Sequence, residues 1–134
     1  MKTLSTYLSE SNKNIPTLLW IDDLRDPNTG TWVHDYSPIG THVNVVWVKS
    51  YKECVRYIEN NGMPDAVCFD HDLGETGQNE KTGYDCAKFI VKYCEENDMD
   101  IPDFEIQSSN PVGRENINSY MNNWHKFYMK SHRK

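Results

Sequence analysis

The sequence predicts an α/β fold in three layers, built on a short, mostly parallel sheet of four or five strands. Short apolar runs that suit buried strands recur along the chain, and the second, third and fourth of these runs are each followed by a segment with helix start signals. Two of the apolar runs end in closely spaced aspartates. Strands that alternate with helices in this way are typical of a parallel sheet with right-handed crossovers and helices on its faces.

Length and composition restrict the class of protein. With 134 residues, the chain suits one domain, which we place at residues 15–134 behind a polar N-terminal arm at residues 1–14. The formal charge of −6 argues against general binding to nucleic-acid backbone, because such binding depends on Lys and Arg. No apolar stretch reaches the roughly 20 residues that span a bilayer, and no signal peptide is evident. We therefore expect a cytoplasmic protein with no membrane partner.

The first strand is predicted at residues 17–21, a continuous apolar run that ends in Asp22 and Asp23. Residues 24–41 are rich in Pro, Gly, Asp and Asn, so we expect a long irregular crossover there rather than a helix. The rings in this crossover either stack on a ligand base or hold the loop against the core; they are those of Trp32, His34 and Tyr36.

A second strand is predicted at residues 43–48, where β-branched and aromatic residues dominate. Ser50 and Glu53 form the S-x-x-E pattern of a capping box, which predicts the start of a helix. Gly62, followed by Pro64, predicts its end.

The third strand is predicted at residues 65–69 and ends in a second acidic group, Asp70-His71-Asp72. After a loop from Leu73 to Lys81, Thr82 caps a helix through Asp85. That helix extends to about Asn97, with an apolar stripe of Ala87, Ile90, Val91 and Cys94.

The last strand is predicted at residues 104–107. The last helix is predicted to begin at Pro111, because proline is a favoured first residue of a helix. Between them lie Ser108, Ser109 and Asn110. The apolar face of the last helix consists of Ile117, Tyr120, Met121, Trp124 and Tyr128.

The acidic residues at the ends of the first and third strands predict a divalent-metal site. If these strands are neighbours, four carboxylates converge, and their repulsion must be relieved by a cation or by protonation; they are Asp22, Asp23, Asp70 and Asp72. Carboxylate oxygens suit Mg²⁺ or Mn²⁺ better than zinc, which favours His or Cys. The alternative interpretation is that these aspartates only cap turns.

A phosphate cradle is predicted where the last helix begins. The hydroxyls of Ser108 and Ser109, the amide of Asn110 and free backbone N–H groups can together hold an anion. The alternative is a plain N-cap by Asn110. Arg25 and Arg114 are candidates for bidentate contacts with phosphate, or equally for ion pairs with carboxylates.

Several of these residues resemble those of receiver-type domains. Asp22-Asp23, Asp70, and a hydroxyl at Ser108 or Ser109 resemble receiver domains of two-component response regulators, in which acidic residues and an acceptor Asp hold Mg²⁺. The lysine that receivers carry after a fifth strand has no counterpart here. The strings DDLRDP, FDHDLG and SSNPVGRENI, within residues 17–128, are more similar to the cyclic-phosphate processing receiver domain family. That resemblance implies a receiver-like, flavodoxin-like fold and a role with cyclic phosphates or nucleotides, as inferred from phage and bacterial gene contexts.

Together, the residues and the resemblance favour metal-dependent binding of a phosphate-bearing nucleotide, either cyclic or ending in a cyclic phosphate, with hydrolysis as a further step. Asp70 and His71 are the candidate catalytic residues: water made more acidic by the metal, or Asp70 itself, is the nucleophile, and His71 is a candidate general base. One alternative is a non-enzymatic protein that sequesters a nucleotide signal, as a phage would use against host defence. Another is a phosphoacceptor module that switches partners when Asp70 is phosphorylated.

Overall fold

The computed structural model describes residues 15–74 and 81–132. The predicted arm at residues 1–14 lies outside this part of the chain, as does most of the predicted loop between Leu73 and Lys81. The strands are β1 (Thr17–Ile21), β2 (Asn44–Val48), β3 (Ala66–Phe69) and β4 (Asp103–Ile106). The helices are α1 (Trp32–Tyr36), α2 (Tyr51–Asn61), α3 (Gly83–Glu96) and α4 (Pro111–Ser131).

The four strands form one parallel sheet in the order β2-β1-β3-β4, which confirms the predicted fold class. Ile21 at the end of β1 pairs with Val48 on one side and Phe69 on the other, and Phe69 pairs with Ile106. All four carboxyl ends therefore lie at one edge of the sheet. Strand order reverses at β1, and this is where ligands bind in open parallel sheets.

The three long helices pack on one face of the sheet around a single apolar core. Their sequence-predicted caps form: the Ser50 hydroxyl accepts from the Glu53 N–H at 3.1 Å, and Thr82 and Asp85 form a complete capping box. The predicted stripe of α3 is buried in this core, as are Ile117 and Met121 of α4. Tyr128, also predicted for the apolar face of α4, instead stacks on the His132 ring.

The crossover between β1 and β2 covers the opposite face of the sheet. Trp32, Val33 and Tyr36 pack on a second cluster, formed by Leu18, Trp20, Ala66 and Cys68. The crossover is long and mostly irregular, as expected, but the prediction of no helix there is wrong at residues 32–36, which form α1. Packing of these half-buried aromatic side chains on the sheet stabilises a helical turn that the polar neighbouring sequence does not indicate. The rings of Trp32 and Tyr36 thus hold the crossover to the sheet.

None of the helices in the described parts of the chain is long and apolar enough to cross a membrane. The longest, α4, has 21 residues and carries charged and amide side chains along most of its length.

Candidate functional site

Three of the four predicted carboxylates meet at the carboxyl edge of the sheet. Asp22, Asp23 and Asp70 each place one carboxylate oxygen within 4.8 Å of the others, and we call this group the acidic cluster. The backbone brings them together, because the Asp22 N–H donates to Val48 and the Asp70 N–H donates to Ile21. The expectation that β1 and β3 are neighbours is therefore confirmed.

Within the cluster, Asp22 is committed to its own turn. It is fully buried, and its Oδ1 accepts from the N–H groups of Leu24 and Arg25, both at 2.9 Å. Its Oδ2 accepts from the Arg25 guanidinium at 3.0 Å. The turn-capping interpretation therefore applies to Asp22, and the ion-pair alternative applies to Arg25.

Two tryptophans fix the backbone of this turn. The indole N–H of Trp47 donates to the carbonyl of Asp22 at 2.7 Å, and that of Trp20 donates to the carbonyl of Arg25 at 3.0 Å. In the sequence these residues predict only strand core, since an indole hydrogen bond to a distant carbonyl leaves no local pattern.

Asp23, in contrast, has an oxygen to spare. Its Oδ1 is buried and has no hydrogen-bond partner within residues 15–74 and 81–132. The backbone of Gly74, with φ +68°, approaches so closely that a Cβ there would lie 2.5 Å from Asp23 Oδ2. A buried carboxylate oxygen without a partner, beside two further carboxylates, fits a hard divalent cation.

The surroundings of Asp70 change the pKa of its carboxyl group. Burial, with repulsion from Asp22 and Asp23, raises the pKa of the Asp70 carboxyl to about 6, although Arg25 and a backbone hydrogen bond from Asp72 act in the opposite direction. Its carboxylate lies 3.8 Å from the Arg25 guanidinium. Asp70 therefore exchanges a proton close to neutral pH, a property typical of functional carboxylates.

The side chains of the other two residues of the Asp70-His71-Asp72 segment lie outside the acidic cluster. Asp72 has a side chain that is 68% exposed, and its Oδ1 lies 2.9 Å from His71 Nδ1. The His71 ring packs on Gly113, where a Cβ would overlap it, and its Nδ1 lies 3.4 Å from the Asn110 amide. His71 thus links the loop after β3 to the start of α4, which favours a structural role.

The predicted phosphate cradle uses part of its hydrogen-bonding capacity internally. The Asn110 side chain accepts from the Gly113 N–H at 3.0 Å, as a plain N-cap does. The hydroxyl of Ser108, which is buried, accepts from the Asn110 N–H at 3.1 Å. Ser109 is exposed, and Arg114 reaches back to the Ser108 carbonyl at 3.3 Å. Ser109 and Arg114 are therefore the members of the predicted set that a phosphate can reach.

A groove of about 720 Å³ opens beside these residues, along the outer edge of β4, and we call it the β4 groove. Its upper end, which we define as the end nearest the carboxyl edge of the sheet, is lined by Ser108, Ser109 and Arg114. Asn118 and Asn122 of α4 line its wall, and the sequence analysis did not select them, because polar residues on a helix ordinarily indicate a solvated face.

Gln107 is a further residue that the sequence analysis missed. It is buried, and its Nε2 donates to the Ile21 carbonyl at 3.2 Å, so its side chain spans from β4 to the end of β1, next to Asp22. Its Oε1 is buried and has no partner among the residues that the structure describes. An amide directly after an apolar strand is the signal that would have identified it.

Comparison with known proteins identifies a family and a fold. The sequence model of the family described as cyclic-phosphate processing receiver domain matches residues 17–123. A solved structure, a yeast Spc42 trimeric coiled-coil segment fused to another protein, superposes with a TM-score of 0.55 at 14% identity. This alignment covers 88% of this chain and 80% of the other, and at that identity it supports the fold alone. No curated protein sequence matches the chain.

Proposed function

The chain belongs to the cyclic-phosphate processing receiver domain family, and from this premise we propose that it binds a small cyclic nucleotide, or a cyclic-phosphate end, together with a divalent cation. The observation that carries the proposal is the buried Oδ1 of Asp23, which lies beside Asp70 in the acidic cluster and has no partner in the described part of the chain. A carboxylate left in this state is costly unless a cation accompanies it.

In this proposal Asp23 and Asp70 hold Mg²⁺ or Mn²⁺, while Asp22 keeps the turn in place through its bonds to Leu24 and Arg25. A bound cation would supply positive charge that offsets the carboxylates and attracts phosphate. Ser109 and Arg114, at the upper end of the β4 groove, contact the phosphate oxygens.

Asp70 gives this site a group for hydrolysis. The Asp70 carboxylate oxygen that does not hold the cation can accept a proton from water as the water oxygen bonds to phosphorus. One ester P–O bond of the ring then breaks, and the released oxygen takes up a proton. His71 is less suited to this role, because its ring packs on Gly113 at the start of α4, where a Cβ would overlap it.

A second candidate is a phosphoacceptor module, which one observation favours. The Arg25 guanidinium lies 3.8 Å from the Asp70 carboxylate. A positively charged side chain therefore lies beside the acceptor, even though the receiver lysine has no counterpart in the sequence. Labelling of Asp70 by acetyl phosphate, without nucleotide binding, would support this candidate over the first.

We place the protein in the cytoplasm. Its four cysteines are buried thiols, and burial raises the pKa of Cys68 and of Cys94 to about 12. Such thiols are unreactive and compatible with a reducing compartment.

The proposal is tested by titrating the purified protein with cyclic mono- and dinucleotides in the presence of Mg²⁺, Mn²⁺ or EDTA. Binding is followed by calorimetry, and products are followed by chromatography. We expect nucleotide binding that requires the cation. Formation of a linear nucleotide identifies a phosphoesterase, recovery of intact ligand identifies a sequestering protein, and the absence of cation-dependent binding contradicts the proposal.

Two substitutions test whether Asp72 belongs to the cation site. Asp23→Asn should lower Mg²⁺ affinity by more than about tenfold. Substitution of a residue that only hydrogen-bonds to a metal ligand can already cost about tenfold, and a direct ligand should cost more. Asp72→Asn should retain the affinity, since its side chain lies outside the acidic cluster. Calorimetric titration with Mg²⁺ alone measures both, and equal losses in the two variants would restore Asp72 as a ligand.

A further inference from the structure

The β4 groove lies at a sheet edge whose hydrogen-bonding groups face outward. β4 pairs with β3 on one side, and the Gln107 N–H donates to the Phe69 carbonyl on that side. Because successive residues of a strand direct their backbone groups to opposite sides, the N–H and C=O of Ile106 point away from the sheet. The Ile106 N–H is instead bonded to the Glu105 carboxylate at 3.0 Å. The edge is therefore partly capped by a charged side chain.

The opposite wall of the groove is a polar stripe on α4. Arg114, Asn118 and Asn122 follow one another at four-residue spacing and so lie on one face of the helix. The Asn122 Nδ2 donates to Asn118 Oδ1 at 3.0 Å. This bond leaves Asn118 Nδ2 and Asn122 Oδ1 without partners among the described residues. The stripe therefore offers a free donor and a free acceptor next to the Arg114 guanidinium.

The charges of the groove restrict its occupant. Arg114 stands at the phosphate end, whereas Glu105 and Glu115 also line the groove. Two carboxylates against one guanidinium disfavour a polyanionic strand of nucleic acid, which depends on basic side chains. A peptide strand added to β4 would meet the Ile106 N–H already bonded to Glu105, a charged residue of the kind that protects sheet edges. A neutral group with donors and acceptors remains favoured.

We propose that the β4 groove binds the nucleoside part of a nucleotide whose phosphate lies at Ser109 and Arg114. This inference rests on the proposed function and extends it from phosphate to nucleoside recognition. The groove is continuous with the phosphate end through Ser108, Ser109 and Arg114, and its volume of about 720 Å³ is within the range of small-molecule sites. Asn118 and Asn122 hydrogen-bond the base or the ribose.

The test compares nucleotides with inorganic phosphate on the full chain in the presence of Mg²⁺. For the double variant Asn118→Ala/Asn122→Ala, we expect cyclic AMP or cyclic GMP to bind about ten- to thirtyfold more weakly, the effect of losing two hydrogen bonds. Phosphate affinity should not change. Asn123→Ala is the matched control, because it removes the same side chain from α4 on the side that faces an apolar groove, and it should bind both probes normally.

The outcomes distinguish the inference from the proposed function. If the unmodified chain binds neither nucleotide nor phosphate, the proposed function fails. If it binds nucleotide and the double variant binds it equally well, only the groove inference is overturned, and the edge is left for another occupant such as an added strand. Side-chain amide signals in nuclear magnetic resonance spectra give a second measurement: those of Asn118 and Asn122 should shift with nucleotide and not with phosphate, and the opposite pattern contradicts the inference.

Discussion

Asp70→Asn is expected to stabilise the protein above neutral pH while it abolishes the response to divalent cations. Burial and the neighbouring carboxylates raise the pKa of Asp70 from 3.8 to about 6, so the folded state retains a proton that the unfolded chain releases. Folding therefore becomes less favourable as pH rises from about 4 to about 6. A neutral amide removes this penalty, and we expect a gain of about 1–2 kcal/mol at about pH 8, less than the full shift implies because the surroundings of a buried charge relax around it.

The measurement is urea unfolding across this pH range, with and without Mg²⁺. The gain should shrink as the pH falls from about 6 towards about 4, where the unmodified protein is itself protonated. Added Mg²⁺ should stabilise the unmodified protein by mass action and leave the variant unchanged. Asp103→Asn, an exposed carboxylate at the start of β4, is the control and should stay within about 0.5 kcal/mol. Destabilisation of the Asp70 variant at about pH 8 would mean that its ion pair with Arg25 dominates.

Gly83→Ala is expected to destabilise the protein by about 2–3 kcal/mol, although alanine in a helix ordinarily stabilises. Gly83 is the first residue of α3, and its N–H donates to the His71 carbonyl at 2.8 Å. A Cβ there would overlap the Asp70 carbonyl oxygen and lie 2.9 Å from its carbonyl carbon. Because these are backbone atoms, relief requires movement of either α3 or the segment that carries Asp70.

This displacement should also weaken cation binding, since Asp70 moves with its backbone. Thermal unfolding should show a lower melting temperature by about 6–12 °C for a chain of this size. Lys92→Ala, on the exposed surface of the same helix, serves as the control and should change stability by no more than about 0.5 kcal/mol. If Gly83→Ala matched this control, the close approach of α3 to Asp70 would be wrong.

The sequence predicted the sheet because each strand carries its own signal. The apolar runs and the caps at Ser50, Thr82 and Asn110 are local patterns, and they locate the elements to within one or two residues. α1 was missed because its stability comes from packing on Trp20 and its neighbours across the sheet, which no local pattern encodes.

The acidic cluster was predictable for a similar reason. Asp22, Asp23 and Asp70 follow two apolar runs that predict strands, and the cluster forms because the sheet makes these strands neighbours, which was a condition of the prediction. Asp72 shows the limit of that reasoning, since the side chains of adjacent residues point in different directions and only the structure shows its pairing with His71. The roles of Asn118 and Asn122 depend on an open sheet edge, and nothing in the sequence around them indicates one.

The crossover after β1 joins the binding site to the cover of one sheet face in a single stretch of chain. Trp20 bonds to the Arg25 carbonyl, and the Arg25 guanidinium lies over the Trp32 ring at 5.4 Å from its centroid. Trp32 in turn packs on the second apolar cluster. A substitution that weakens the packing of Trp32 on that face should therefore also disturb the position of the Arg25 guanidinium beside Asp70.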